Sequence, residues 1–130
     1  MIIGIGSDII AIARIKRLLI RNKQPFLQKI FNPTEILMLD NITNSLRLAG
    51  YIANRFAAKE AFAKALGTGI GQYVAFKDIS ILKNSQGKPY FEFSQNLKLF
   101  LQQNHGEKIK VHLSMSDESE YAQAFVVIES

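Results

Sequence analysis

The order of the predicted elements indicates an α+β fold in which a mainly antiparallel sheet packs on a long central helix. Three observations predict it: an apolar strand with two glycines opens the chain, an alanine-rich helix spans the middle, and a hairpin, a helix and two strands close it. No linker, repeat or low-complexity tract divides the 130 residues, so we predict a single domain over residues 1–130.

The composition is that of a folded domain with a basic surface. The net charge of +5 predicts an anionic partner: a nucleic acid, a lipid surface, a phosphorylated small molecule or an acidic protein. The absence of cysteine excludes a disulfide framework, a thiolate nucleophile and a zinc-ribbon site, and a cytoplasmic location fits. Asp8 and the basic residues after it interrupt the apolar N-terminus, so we expect neither a signal peptide nor a membrane-spanning segment.

The predicted first strand, Met1–Ile10, carries an acidic residue on the same face as two glycines. Gly4 and Gly6 leave the surface beside Asp8 bare, so that another group can approach closely. Asp8 is either a site carboxylate or the cap of the next helix. A dinucleotide-binding motif is excluded, because the third glycine is missing and no matching acid follows.

A basic amphipathic helix is predicted over Ala11–Lys23. Arg14, Arg17 and Arg21 stand at i, i+3 and i+7 on one side of it. The stripe is either a solvated face or a surface that docks an acidic partner. Two shorter helical segments follow, Pro25–Phe31 and Thr34–Asp40.

The central helix is predicted over Leu46–Leu66, with Asn44 or Ser45 as its cap. An apolar stripe along this helix continues four residues at a time into Glu60 and Lys64. These two residues are either an exposed ion pair, which would stabilise the helix by about 0.3–0.5 kcal/mol, or functional charges on a helix face that should be buried. Gly67 and the glycines after it end the helix, which excludes a P-loop, whose glycines precede one.

The C-terminal half is predicted to be mainly strands. Val74–Lys83 contains a strand with Phe76, and it pairs with Tyr90–Phe93 as a hairpin. Along the alternating strand Lys108–Met115, His112 lies on a polar face that lines either solvent or a site. A helix, Ser94–Asn104, and a last strand, Tyr121–Glu129, complete the order.

Two carboxylates on regular elements, Asp8 and Glu60, suit a hard cation such as Mg²⁺, which takes one or two carboxylates plus substrate phosphates. Lys64 is then a phosphate contact or a proton donor to a leaving group. No arrangement resembles a nucleophilic triad. The residues therefore point to phosphoryl-type transfer from a phosphate-bearing cofactor.

Five segments, spread in order over essentially the whole chain, carry a resemblance to a known family. They are GIGSDI, RFAAKEAFAKALGTGIG, GKPYFEF, VHLSMSDESEYA and VVIE. The chain resembles the holo-acyl-carrier-protein synthases, small 4′-phosphopantetheinyl transferases of fatty acid synthesis. One position departs from the commonest pattern, because Asp117 stands where many members have a second histidine.

The resemblance implies a reaction, a fold of the 4′-phosphopantetheinyl transferase type and a set of site residues. Coenzyme A would donate its phosphopantetheine arm to a serine of apo acyl carrier protein, releasing adenosine 3′,5′-bisphosphate. A homotrimer would bind coenzyme A in clefts between subunits and would bind neither nucleic acid nor membranes. The implied residues are Asp8, Glu60 and Lys64 for catalysis, the first two also for Mg²⁺; Lys64, Gly67, Thr68, Pro89 and His112 for coenzyme A; and Arg14, Arg17 and Arg21 for carrier-protein docking.

The competing hypothesis is a non-catalytic basic module that binds nucleic acid, which the basic helix and the net charge favour. Against this hypothesis, no strand has the aromatic-rich motif of domains that bind single-stranded RNA. A nucleic-acid-binding role would also leave Glu60 and Lys64 on the central helix unexplained. A third hypothesis is a membrane-surface protein that uses Ala11–Lys23 as an interfacial helix.

Overall fold

The computed structural model describes residues 1–130 and has the predicted α+β architecture. The elements are β1 (Ile2–Ala11), α1 (Ile12–Ile30), α2 (Pro33–Leu39), α3 (Ser45–Leu66), a 3₁₀ turn (Phe76–Asp78), β2 (Ile79–Lys83), β3 (Pro89–Phe93), α4 (Gln95–His105), β4 (Lys110–Asp117) and β5 (Tyr121–Glu129). An antiparallel sheet has the order β1-β5-β4, and β2 and β3 form a separate antiparallel hairpin.

Helix α3 is the centre of the molecule, and it packs directly on β1. Small side chains make this possible, because most of its alanines are completely buried and allow the backbones to approach. A Cβ atom on Gly4 would overlap with the carbonyl oxygen of Ala65, and one on Gly6 with that of Ala61. The bare strand face predicted beside Asp8 therefore admits the chain's own central helix.

Helix α1 is one assigned element with a break inside it. Asn22 leaves the helical region, with φ −146° and ψ 55°, and Pro25 follows within the next turn. A proline near the start of a helical segment is tolerated because its missing N–H has no intrahelical partner there. The two predicted segments thus exist, and they meet at Asn22.

The ends of α3 follow from its flanking residues. The side chain of Asn44 accepts hydrogen bonds from the backbone N–H groups of Leu46 and Arg47 at 3.0 and 3.1 Å. Gly67 ends the helix in the left-handed region with φ 80°, as predicted.

Phe76 does not belong to a strand, which corrects the sequence prediction. It begins the 3₁₀ turn, is buried, and its ring stacks on Phe56 at 5.4 Å between centroids. Alternating apolar residues around it resemble a strand, but its contact with α3 favours the turn. In the whole chain, no helix is both long and apolar enough to span a membrane.

Candidate active site

Lys64 on α3 contacts β1. Its Nζ atom donates hydrogen bonds to Asp8 Oδ1 at 2.9 Å and to the carbonyl oxygen of Ser7 at 3.1 Å. The register of β1 makes this possible, because Asp8 shares the α3-facing side of the strand with Gly6. Lys64 therefore pairs across two elements with Asp8, and not along its own helix with Glu60.

Glu60 is half-buried, one turn before Lys64, and lines a cleft of about 440 Å³. Burial raises the pKa of its carboxyl group, and the nearby charge of Asp8 raises it further. Lys64 and Arg14 act in the opposite direction. Arg14 also lines this cleft, which thus has a carboxylate on α3 and a guanidinium on α1.

The charge of Asp8 raises the pKa of the Glu60 carboxyl group, as expected for two carboxylates that face a shared cation site. The chain has no cluster of three or more His, Cys, Asp or Glu side chains that could hold a metal by themselves. Mg²⁺ typically takes one or two carboxylates and completes its shell with water and substrate phosphates. The donor set fits Mg²⁺ on condition that a phosphate-bearing substrate supplies further oxygens.

The remaining predicted site residues for coenzyme A lie in three places. Gly67 and Thr68 directly follow α3, and the Thr68 hydroxyl donates to the carbonyl oxygen of Gly69 at 2.9 Å. Pro89 begins β3, on the hairpin. His112 lies on the outer face of the sheet, opposite Asp8, with its Nε2 atom 3.5 Å from Glu129.

Within one chain the structure thus brings together Asp8, Glu60, Lys64 and Arg14. It does not bring Pro89 and His112 to the cleft that Glu60 lines. Arg17 and Arg21 are exposed on α1, on the same helix as Arg14.

A second cleft, of about 510 Å³, holds a residue that sequence reasoning missed. Arg55 is only 6% exposed, and its guanidinium lies 3.6 Å from the ring centroid of Tyr51. Its Nε atom is buried without a hydrogen-bond partner. Three further basic residues and two acidic ones line the same cleft: Lys16, Arg47, Lys83, Asp117 and Glu118. The excess of cations over acids in this cleft suits an anionic ligand.

Asp117, the position that departs from the family pattern, contacts this second cleft. Its Oδ1 atom accepts a hydrogen bond from Asn54 Nδ2 at 3.0 Å. The Asn54 Oδ1 atom is buried without a partner. In this chain Asp117 therefore binds the side-chain amide of Asn54, a residue of α3.

Comparisons with known proteins identify the family of this chain. Residues 4–126 match the family model described as the 4′-phosphopantetheinyl transferase superfamily. A holo-[acyl-carrier-protein] synthase of Vesicomyosocius okutanii is 46% identical over 129 residues, which cover 99% of this chain and 98% of the relative.

Solved structures give the same result. The holo-[acyl-carrier-protein] synthase of Neisseria meningitidis has a TM-score of 0.91 at 43% identity, with both chains fully covered. A holo-(acyl-carrier-protein) synthase of Bacillus anthracis, solved in complex with CoA (3′,5′-ADP), has a TM-score of 0.83 at 39% identity. The match covers 100% of this chain and 98% of the Bacillus anthracis chain. The chain belongs to the holo-[acyl-carrier-protein] synthase family of 4′-phosphopantetheinyl transferases.

Proposed function

We propose that this protein transfers the 4′-phosphopantetheine group of coenzyme A to a serine of an apo acyl carrier protein and releases adenosine 3′,5′-bisphosphate. The observation that carries the proposal is the cluster of Asp8, Glu60 and Lys64 in a chain of this family. The relatives' names state the acceptor, and the Bacillus anthracis structure was solved in complex with CoA (3′,5′-ADP). Mg²⁺ dependence, a role in fatty acid synthesis and a cytoplasmic location are part of the proposal.

In the proposed reaction the serine oxygen attacks the phosphorus that carries pantetheine, and the bond from that phosphorus to the bridging oxygen breaks. Mg²⁺ held by Asp8 and Glu60 would offset the charge that develops on the pyrophosphate oxygens. We assign the serine proton to Glu60, because this carboxylate lines the cleft, whereas Asp8 is paired with Lys64. The Lys64 ammonium would neutralise or protonate the departing phosphate.

The test of the proposal is the intact mass of an apo acyl carrier protein after incubation with the protein, coenzyme A and Mg²⁺. We expect a mass gain of one phosphopantetheine that disappears with EDTA. A gain that persists in EDTA would remove the metal from the proposal. No gain with several apo carrier proteins would contradict the transfer itself.

Helix α1 is the proposed docking surface for the carrier protein. Its arginines Arg14, Arg17 and Arg21 are exposed and have one sign of charge, and Arg14 reaches the cleft beside Glu60. An acidic partner would be attracted to this face and would place its serine near the carboxylates.

Arg14→Glu is expected to raise the KM for the carrier protein about tenfold to a hundredfold at low salt, with the KM for coenzyme A changed less than about twofold. The matched control is Lys108→Glu, the same charge reversal at an exposed position beyond α4. Steady-state kinetics with each substrate varied in turn measures both constants. Equal losses for the two substrates would argue against docking on α1.

We propose that the Arg55 cleft binds the phosphorylated nucleoside end of coenzyme A. Four cations line this cleft against two acids, and the Arg55 guanidinium is held in place over the Tyr51 ring. Arg55 and Glu60 are five residues apart on α3, which places them about 140° apart around the helix axis. One coenzyme A molecule therefore contacts both residues most readily if they come from different subunits.

The outer face of the three-stranded sheet supports a shared site. Ile5, Ile9 and Phe125 on this face are 62%, 63% and 44% exposed, and burial of such apolar surface is favourable. His112 projects from the same face. We propose a homotrimer that covers this face, so that His112 and Arg55 of one subunit serve the carboxylates of the next.

A mixing experiment tests the shared site. Glu60→Gln and Arg55→Gln are each expected to be nearly inactive alone, whereas mixed trimers recover about a quarter of the sites, because chance pairs one intact Glu60 with one intact Arg55. Light scattering should give three times the mass of one chain. A monomer, or mixed trimers without recovery, would contradict the shared site.

A further inference from the structure

Lys59, the residue directly before Glu60, is completely buried, which is exceptional for a lysine. Its Nζ atom donates hydrogen bonds to the Ile30 carbonyl oxygen at 2.7 Å, to Glu35 Oε1 at 2.8 Å and to the Phe76 carbonyl oxygen at 3.1 Å. All three protons of the ammonium are thus used. Neither the catalytic cluster nor the Arg55 cleft includes this group.

The three oxygens belong to three different elements. Ile30 is the last residue of α1, Glu35 lies in the first turn of α2, and Phe76 begins the 3₁₀ turn. The carbonyl of Ile30 is one of those that a helix end leaves without an intrahelical partner. One side chain from α3 therefore joins the end of the proposed docking helix to two neighbouring segments.

These joined segments form a wall beside Glu60. Ile30 and Phe76 both line the cleft that Glu60 and Arg14 line. The Phe76 ring continues the wall by stacking on Phe56, which lies under the Arg14 guanidinium at 5.9 Å. Movement of either segment would change the distance between the docking helix and the Glu60 carboxylate.

Hydrogen bonds to the backbone hold the Lys59–Glu35 ion pair in place, in addition to the attraction between the two charges. Glu35 Oε1 also accepts a hydrogen bond from the backbone N–H of Asn32 at 3.1 Å. The Asn32 Oδ1 atom in turn accepts one from the backbone N–H of Glu35 at 3.0 Å, which completes a capping box. Burial lowers the pKa of Lys59 to about 8, although Glu35 opposes the shift. An apolar side chain would fill this volume without that desolvation cost, so stability alone does not explain a lysine.

We propose that Lys59 and Glu35 are positioning residues that hold the end of α1 and the Phe76 turn at a set distance from Glu60. They act on the use of the carrier protein and not on the binding of coenzyme A. The inference rests on the proposed function, since it assigns the carrier-protein side of the same site.

The test compares Lys59→Met with the double variant Lys59→Met/Glu35→Gln, which leaves no unpaired buried charge and keeps an acceptor for the capping box. A destabilised control, Leu97→Ala, removes a buried core side chain on α4 away from the cleft. Thermal unfolding establishes that each variant is folded at the assay temperature. Should Lys59→Met alone fail to fold, the double variant carries the comparison.

We expect both Lys59 variants to lose about a hundredfold in kcat/KM for the carrier protein, with the KM for coenzyme A within about twofold of the parent value. The double variant should regain stability but not kcat/KM. Wild-type kinetics in the double variant, or the same kinetic loss in Leu97→Ala, would overturn the positioning role.

Hydrogen exchange gives a readout that needs no activity. In both Lys59 variants, the backbone amides of residues 22–31 and 74–78 should exchange at least about tenfold faster than in the wild type. In Leu97→Ala, the exchange rates of the same amides should be unchanged. Unchanged exchange in the Lys59 variants would overturn the inference. A wild-type protein that modifies no carrier protein would contradict the proposed function, and the exchange result would still decide whether Lys59 holds this wall.

Discussion

Glu60→Gln is expected to reduce phosphopantetheine transfer by at least about a thousandfold and, in the absence of metal, to raise the melting temperature of the protein. Glutamine keeps the size of the side chain but can neither ionise nor accept the serine proton. The loss of activity follows because Glu60 would both bind Mg²⁺ and act as the base. The gain in stability follows because burial and the Asp8 charge disfavour an ionised Glu60 in the folded chain.

The pH dependence of this gain has a defined sign. The folded-state pKa of Glu60 is raised above 4.5, so the folded protein binds more protons than the unfolded chain as the pH rises above 4.5. Ionisation of Glu60 therefore lowers wild-type stability as the pH rises through the folded pKa. The stability difference between variant and wild type should grow across this range and vanish below pH 4.5.

Calorimetry with and without millimolar Mg²⁺ checks these expectations. Mg²⁺ should stabilise the wild type, because it binds the folded state, and should leave Glu60→Gln unchanged. The control is Glu107→Gln, which removes a carboxylate at an exposed position outside the site. Near-normal turnover would remove Glu60 from the proposed metal site. A destabilised variant would mean that Lys64 and Arg14 outweigh burial at this carboxylate.

Gly6→Ala is expected to destabilise the protein by about 3 kcal/mol, because the new methyl group would overlap with the carbonyl oxygen of Ala61. Backbone lies on both sides of this contact, so relief requires β1 and α3 to move apart. Asp8 lies two residues further along the same strand face, and its bond to Lys64 joins these two elements. Transfer should therefore fall about tenfold even where the variant is folded.

The matched control is Gly50→Ala, a glycine inside α3 whose added Cβ atom would meet only Asp117 Oδ2, at 4.0 Å. Alanine is the better helix former by about 0.5–1 kcal/mol, so this variant should be as stable as the wild type or more stable. Denaturant unfolding measures both variants. Wild-type stability in Gly6→Ala would show that β1 and α3 are not in the close contact described.

Sequence periodicity was sufficient to predict secondary structure where the tertiary contacts of a segment agree with its local conformational preference. The long helix ends at Gly67, and the alternation along β4 places Leu113 inward and His112 outward. It failed where a tertiary contact decided the outcome. Phe76 has neighbours typical of a strand, but its ring stacks on Phe56 and its carbonyl binds Lys59, and both contacts favour a turn.

The same division holds for the candidate site. The sequence by itself determined the fold class, the central helix and the placement of Asp8, Glu60 and Lys64 on regular elements, because these depend on periods of two and 3.6 residues. Only the tertiary structure decided which charges meet. Lys64 pairs with Asp8, 56 positions away, and the buried lysine is Lys59, which no pattern in the sequence distinguishes from the exposed Lys64 on the same helix. Partners so distant in the chain come together through packing, so local sequence patterns carry no information about them.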